Sequence, residues 1–258
     1  MLSVQINIHV KSELLKMALV FSLGLLAWWP PALAPLRASA ETAALLLERP
    51  ASLLRVTGAG RRQFIHGLCT ADVNAIGDGG VVDASVVDAT GRTLSLLTLI
   101  DAPPVGGAAA ELLAIGPADR GAALFGFFDR YAFPADCATP TDATGAYRCY
   151  EVVGPSAASA LSEALADALG GAVQLPSRGQ ALRVAVGTAD AVVANAGSLG
   201  FPEALSLLVP CTDESTALCA ALRRAVAKVG GVDGTAAGDG VDSSEFDGPT
   251  AVCYRFAQ

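Results

Sequence analysis

The stretch LLRVTGAGRRQFIHGLCTADVNAIGDGGVVDASVVDATGRTLSLLTLI, Leu53–Ile100, sets the order of elements for the chain. Leu53–Thr57 has the apolar, β-branched character of a short strand. Gly58 and Gly60 then turn into a helix that carries Phe64, Ile65 and Leu68 on one face. Thr70 and Asp72 stand where side-chain oxygens can cap the next turn, Ala71–Ile76, which Gly79 and Gly80 break. Val81–Val87 and Thr93–Ile100 read as strands. The Asp88-Ala89-Thr90-Gly91 link between them has glycine where positive φ is tolerated, so a hairpin is predicted.

Outward from this block, the alanine- and leucine-rich Glu41–Glu48 is predicted helical. Ala110–Ile115 is a further strand. Pro117–Tyr131 is a helix with Leu124, Phe125, Phe128 and Tyr131 at core spacing, and Tyr147–Val153 a strand ending at Gly154-Pro155. A second unit follows: helix Ser156–Leu169, stopped by Gly170-Gly171; strands Leu182–Val186, Ala191–Asn195 and Leu205–Val209; and helix Asp213–Val229, stopped by Gly230-Gly231. Helices and antiparallel strands mix without regular βαβ repetition, so the fold class is α+β. From Val232 the sequence is rich in Gly, Ser and Asp, and a disordered tail is predicted over 232–258.

The chain has 258 residues, 52% hydrophobic and 16% charged, with a net charge of −8. That balance opposes a nucleic-acid partner, which requires a basic stripe. Six cysteines occur, none spaced as CxxC, and His66 is the lone histidine after the leader. Structural thiols in a reducing compartment are expected, with no metal site. Met17–Trp29 is an apolar run shorter than the ~20 residues that span a bilayer. With Lys11 and Lys16 before it and Ala38-Ser39-Ala40 after it, residues 1–40 read as a cleavable targeting leader, leaving no stable membrane span. Arg37 is the single arginine of that leader, which favours a plastid address over a mitochondrial one.

Two catalytic patterns fail on particular residues. Gly58-Ala59-Gly60 after a strand opens like a dinucleotide fingerprint, but Gln63 occupies the third glycine position. No G-x-S-x-G elbow accompanies His66, which is expected to pack on its helix. Asp83, Asp88 and Asp101 are expected at strand ends and turns.

A family resemblance covers most of Leu45–Gly231. Leu53–Val73 reads L-x-R-V-T-G-x-x-R-x-x-F-I-H-x-x-x-T-A-D-V, and Gly91-Arg92 forms the turn before the next strand. Asp129-Arg130-Tyr131-Ala132-Phe133 closes the first long helix, Gly154-Pro155 opens the second half, and Gly197–Pro210 with Leu218–Leu222 follows in order. This series resembles the aminomethyltransferase folate-binding fold shared by the glycine-cleavage T-protein and the YgfZ-like iron–sulfur maturation proteins. The resemblance implies two ferredoxin-like halves, 41–153 and 154–231, with a pocket between them. It also places the transferase carboxylates at Ser95 and Leu96, and the pterin-contacting glutamate at Ser206. A carboxylate that polarises an amine cannot be replaced in that role by Ser or Leu.

The expectation is therefore the YgfZ-like branch, with no catalytic residue for aminomethyl transfer. That branch's K-G-C-Y-x-G-Q-E loop is matched only by the dipeptide Cys253-Tyr254, and its C-terminal barrel has no counterpart after residue 231. Either a shortened family member or an incomplete gene product is expected. It would bind tetrahydrofolate through Thr70, Asp72, Arg92 and Tyr131, with Arg92 as counter-charge to the glutamate tail. Its partners would be iron–sulfur proteins or assembly factors. Two alternatives stand beside it: a residual one-carbon transferase using Asp83 or Asp88, and a degenerate module that binds protein and no folate.

Overall fold

The computed structural model describes residues 44–104, 109–196 and 204–234. The leader, the tail from residue 235 and Cys253-Tyr254 lie outside the described residues. Strands β1 (Leu45–Arg49), β2 (Ala51–Thr57), β3 (Val81–Val87), β4 (Thr93–Ala102), β5 (Glu111–Pro117) and β6 (Thr139–Asp142) come first in the chain. They are followed by β7 (Tyr147–Val153), β8 (Gln180–Val186), β9 (Ala189–Asn195), β10 (Leu205–Pro210) and β11 (Val232–Asp233). The helices are α1 (Arg61–His66), α2 (Gly121–Tyr131), α3 (Ala157–Leu169) and α4 (Thr216–Lys228).

Two sheets result, ordered β3-β4-β5-β2-β6 and β11-β1-β7-β10-β9-β8. Each half runs strand, helix, three strands, helix, strand, and the order 3-4-5-2-6 recurs as 8-9-10-7 followed by β1 and β11. The α+β class is thus what the sequence pattern predicts, and the resemblance implies its two halves. The alternation of each strand separates two faces. Leu54, Val56, Leu97, Leu99, Leu112 and Ala114 meet Phe64, Ile65, Leu124 and Phe128 of α1 and α2 in one core. Leu46, Tyr150, Val193 and Leu207 meet Ala160, Leu161, Leu165, Leu218 and Leu222 of α3 and α4 in another. A third core lies between the sheets, where Leu53, Ile100, Leu113 and Ile115 pack on Cys149, Val192, Ala194 and Leu208. The starts of β3 and β8 are also bridged: Val81 N–H donates to Gly179 O at 2.9 Å, and Ala181 N–H to Gly79 O.

Two predictions need correction, and one strand goes unpredicted. Residues 45–49 are a strand and not part of a helix over Glu41–Glu48. β1 pairs antiparallel with β7 from Leu45↔Val153 to Arg49↔Cys149, and Ala44 and Leu46 are buried at the period of two. Val232 and Asp233, read as disordered, add to β1 as a parallel strand. Residues 139–142, to which the sequence reading assigns no element, pair with β2 as the edge strand β6. The boundary between the sheets also differs from a division of the chain at 153/154, because β1 and β7 belong to the second sheet.

Candidate functional site

The glycines and arginines that open the first helix have structural work to do. A Cβ on Gly58 would strike Cys137 O, and one on Gly60 would strike Asp136 O. Gly60 N–H donates to Cys137 O at 3.1 Å, so the chain between β2 and α1 lies against the 136–137 turn with no room for a phosphate. Arg61 Nε donates to Asp101 Oδ1 at 2.9 Å, and Arg62 Nε to Asp101 Oδ2 at 2.7 Å. Asp101 is only 1% exposed. Its hydrogen bond raises the Arg62 guanidinium above the ordinary value. This is a clamp between α1 and the end of β4, made of neighbours that sequence reasoning treats separately.

A cleft of about 350 Å³ lies over β3, β4 and the end of β5, where Arg49 and Pro50 lead from β1 into β2. Its apolar lining includes Leu96, Leu97, Ile115 and Pro117, and its polar lining includes Thr70, Asp83, Ser85, Ser95 and Thr98. The volume falls in the range of small-molecule pockets. Leu96 presents its side chain 59% exposed, whereas Ser95 is buried and donates to Leu96 O at 3.4 Å. Thr98 Oγ1 donates to Asp83 Oδ1 at 2.7 Å, which orients the carboxylate. Arg49 Nε stands 3.4 Å from Glu151 Oε1 on β7.

Of the four residues predicted to bind, Thr70 lines this cleft. Its N–H donates to Ser85 O at 2.9 Å, and its Oγ1 accepts from Ser85 N at 3.1 Å. Thr70 is thereby tied to the edge of β3 and does not cap the following turn. Asp72, Arg92 and Tyr131 are not among the lining residues. Asp72 is exposed at the start of the short 3-10 turn Val73–Ala75 and makes no side-chain cap. Its Oδ1 is 3.5 Å from Nδ1 of His66, an ion pair only when that imidazole is protonated. Arg92 is exposed in the β3–β4 turn. There Asp88 Oδ1 accepts from Thr90 Oγ1 at 2.6 Å and from Arg92 N at 3.0 Å. The Thr90 hydroxyl, then the Arg92 N–H, hold the Asp88 carboxyl below its ordinary value. Tyr131 is 37% exposed at the end of α2, its ring 4.9 Å from that of Phe127.

The cysteines Cys69, Cys137, Cys149, Cys211 and Cys219 are free thiols, and burial pushes Cys149 up to about 11. Among the described residues no group of His, Cys, Asp and Glu is arranged to hold a metal ion. Among the same residues no helix is long and apolar enough to cross a membrane.

No protein-family model matches the chain, and no curated protein sequence matches it. Among solved structures it is similar to the glycine cleavage system aminomethyltransferase T from Bartonella henselae, at a TM-score of 0.59 and 16% identity. The match covers 76% of this chain and 49% of that one, so the chain spans about half the length of that protein. The fold is that of aminomethyltransferase T. A looser match, with a TM-score of 0.48 and 14% identity, is to the heterotetrameric sarcosine oxidase from Corynebacterium sp. U-96; it covers 77% of this chain and 93% of that one. Within the aminomethyltransferase fold, Ser95 and Leu96, where the resemblance expects carboxylates, both line the cleft. Ser206 lies on the other sheet, opposite Glu151 in the β7–β10 pairing.

Arg49 and Asp83 are the charged lining residues that the four predicted binders leave out. Asp83, which the sequence reading sets at a strand end or turn, lies instead within β3. Arg49 carries no sequence signal, because its position depends on β1 pairing with a strand roughly a hundred residues later.

Proposed function

We propose that the cleft binds tetrahydrofolate without aminomethyl transfer, and that the protein is an accessory factor of YgfZ type supporting iron–sulfur cluster assembly or repair. The observation that carries this reading is the placement of Ser95 and Leu96 in the lining of a cleft on the aminomethyltransferase fold. A flat pterin would lie on the apolar surface of Leu96 and Ile115, with its amino group donating to Asp83. Neither a hydroxyl nor an isobutyl group can hold and polarise the one-carbon amine, so binding would persist where transfer does not. The iron–sulfur role and a plastid location follow from the sequence resemblance and the leader, and they belong to the same proposal.

A residual one-carbon transferase is favoured by one observation, the Asp83 carboxylate in the cleft. Titration calorimetry with tetrahydrofolate, paired with an assay for one-carbon transfer, separates the readings. Saturable heat without turnover is expected. Turnover that Asp83→Asn abolishes would establish the transferase reading, and no heat at millimolar ligand would refute folate binding altogether.

A further inference from the structure

We propose that Arg49 is the residue through which the cleft reads an anionic group on its ligand, the carboxylate of a folate tail. The inference rests on the folate reading of the cleft and deepens it. Arg49 ends β1 in the second sheet and Pro50 passes the chain to β2 in the first, so Arg49 stands at the junction of the sheets and lines the cleft. Its side chain is about four-fifths buried, at 21% exposure. Glu151 is close enough to hold it by charge, yet Nε is buried without a hydrogen-bond partner.

Nε of Arg55 and of Arg183 is likewise buried without a hydrogen-bond partner, while Arg61 and Arg62 donate to Asp101 through Nε. Of these five arginines, Arg49 is the one that lines the cleft. A guanidinium offers five donors, stays charged at any accessible pH, and is costly to bury with donors unused. Arg49 therefore combines two properties an anion-reading residue needs: a position held by a neighbouring carboxylate, and a place in the lining of the cleft. Asp83 supplies the opposite character in the same cleft. A ligand that fits both has a donor-bearing ring at one end and a carboxylate at the other. Arg92, in the exposed turn, does not line the cleft.

The test compares tetrahydrofolate with 6-methyltetrahydropterin, which lacks the carboxylate tail, by calorimetry on the full chain. Arg49→Met is expected to weaken tetrahydrofolate about ten- to a hundredfold and the tail-less pterin by less than about twofold. Arg49→Lys is expected to lose less than Arg49→Met, and Arg130→Met on the exposed side of α2 to change neither ligand. Equal losses for both ligands, or none for tetrahydrofolate, would overturn the assignment. If Arg49→Met does not fold, a loss in Arg49→Lys confined to tetrahydrofolate supports the assignment and its absence overturns it. If the wild type binds only tetrahydrofolate, loss of that binding in a variant with unchanged melting temperature supports it, and unchanged affinity overturns it. A wild type that binds neither ligand refutes the folate reading and this inference with it. A wild type that binds both, with no discrimination by Arg49→Met, refutes this inference alone.

Discussion

Asp101 shows how one buried carboxylate can turn a run of sequence into a joint. It accepts from both Arg61 and Arg62, and its own backbone N–H and O pair with Gly80 and Gly79. Replacing it by asparagine keeps the shape but leaves Arg61 without its counter-charge and Arg62 with only the exposed Asp78. We expect Asp101→Asn to cost about 3 kcal/mol in urea denaturation, near the low end for broken buried pairs because the arginines retain some solvent. A loss under about 1 kcal/mol, the level of exposed pairs, would contradict the clamp. At this scale the sequence is legible where chemistry is local. Gln63 excludes the dinucleotide loop, Gly91 sits at φ 79 in its predicted hairpin, and Ser95 and Leu96 reach the cleft. Arg49 is not legible, since nothing within a few residues of it shows that it faces a cavity.

Strand β1 is the element for which composition points one way and tertiary structure the other. Ala43 to Glu48 has good helix formers throughout, and intrinsic preference is a weak prior against burial on both sides. Pairing with β7 on one edge and β11 on the other makes it an interior strand of its sheet, with Leu46 fully buried under α3 and α4. Leu46→Ala is expected to cost about 2–5 kcal/mol, measured by chemical denaturation. A cost below about 1 kcal/mol, typical of a surface substitution, would place this segment outside the core. Strands β3, β4 and β7 to β10 were legible because their apolar residues recur beside clear turn signals. Edge strand β6 was not: it is four residues long, contains Pro140 and owes its assignment to pairing with β2.

At the largest scale the described residues form two similar sheets closed on a shared apolar layer, and a charge network spans the same junction. Arg55 Nε lies 2.8 Å from Glu111 Oε2 in the first sheet, Arg183 of β8 donates to Glu111 Oε1, and Asp190 stands 4.0 Å from Arg183. Glu111→Ala would leave Arg183 buried without its main partner, at an expected cost of about 3–5 kcal/mol in urea denaturation. A cost no larger than about 1 kcal/mol would show that Arg183 finds water or Asp190 instead. The resemblance makes the two halves and their order legible, but not how β1 and β7 cross into the second sheet, because that pairing links distant segments. The cleft depends on that crossing, which brings Arg49 and Pro50 to the lining of a site otherwise built from the first half. On the proposed reading this cleft holds a folate over Leu96, where the resemblance expects a transferase carboxylate. A crystal structure of the full chain grown with tetrahydrofolate tests it most directly. The account predicts the pterin ring on Leu96 and Ile115 with its amino group at Asp83 and the tail carboxylate at Arg49. Ligand density elsewhere on the molecule, or an empty cleft at saturating tetrahydrofolate, would contradict it.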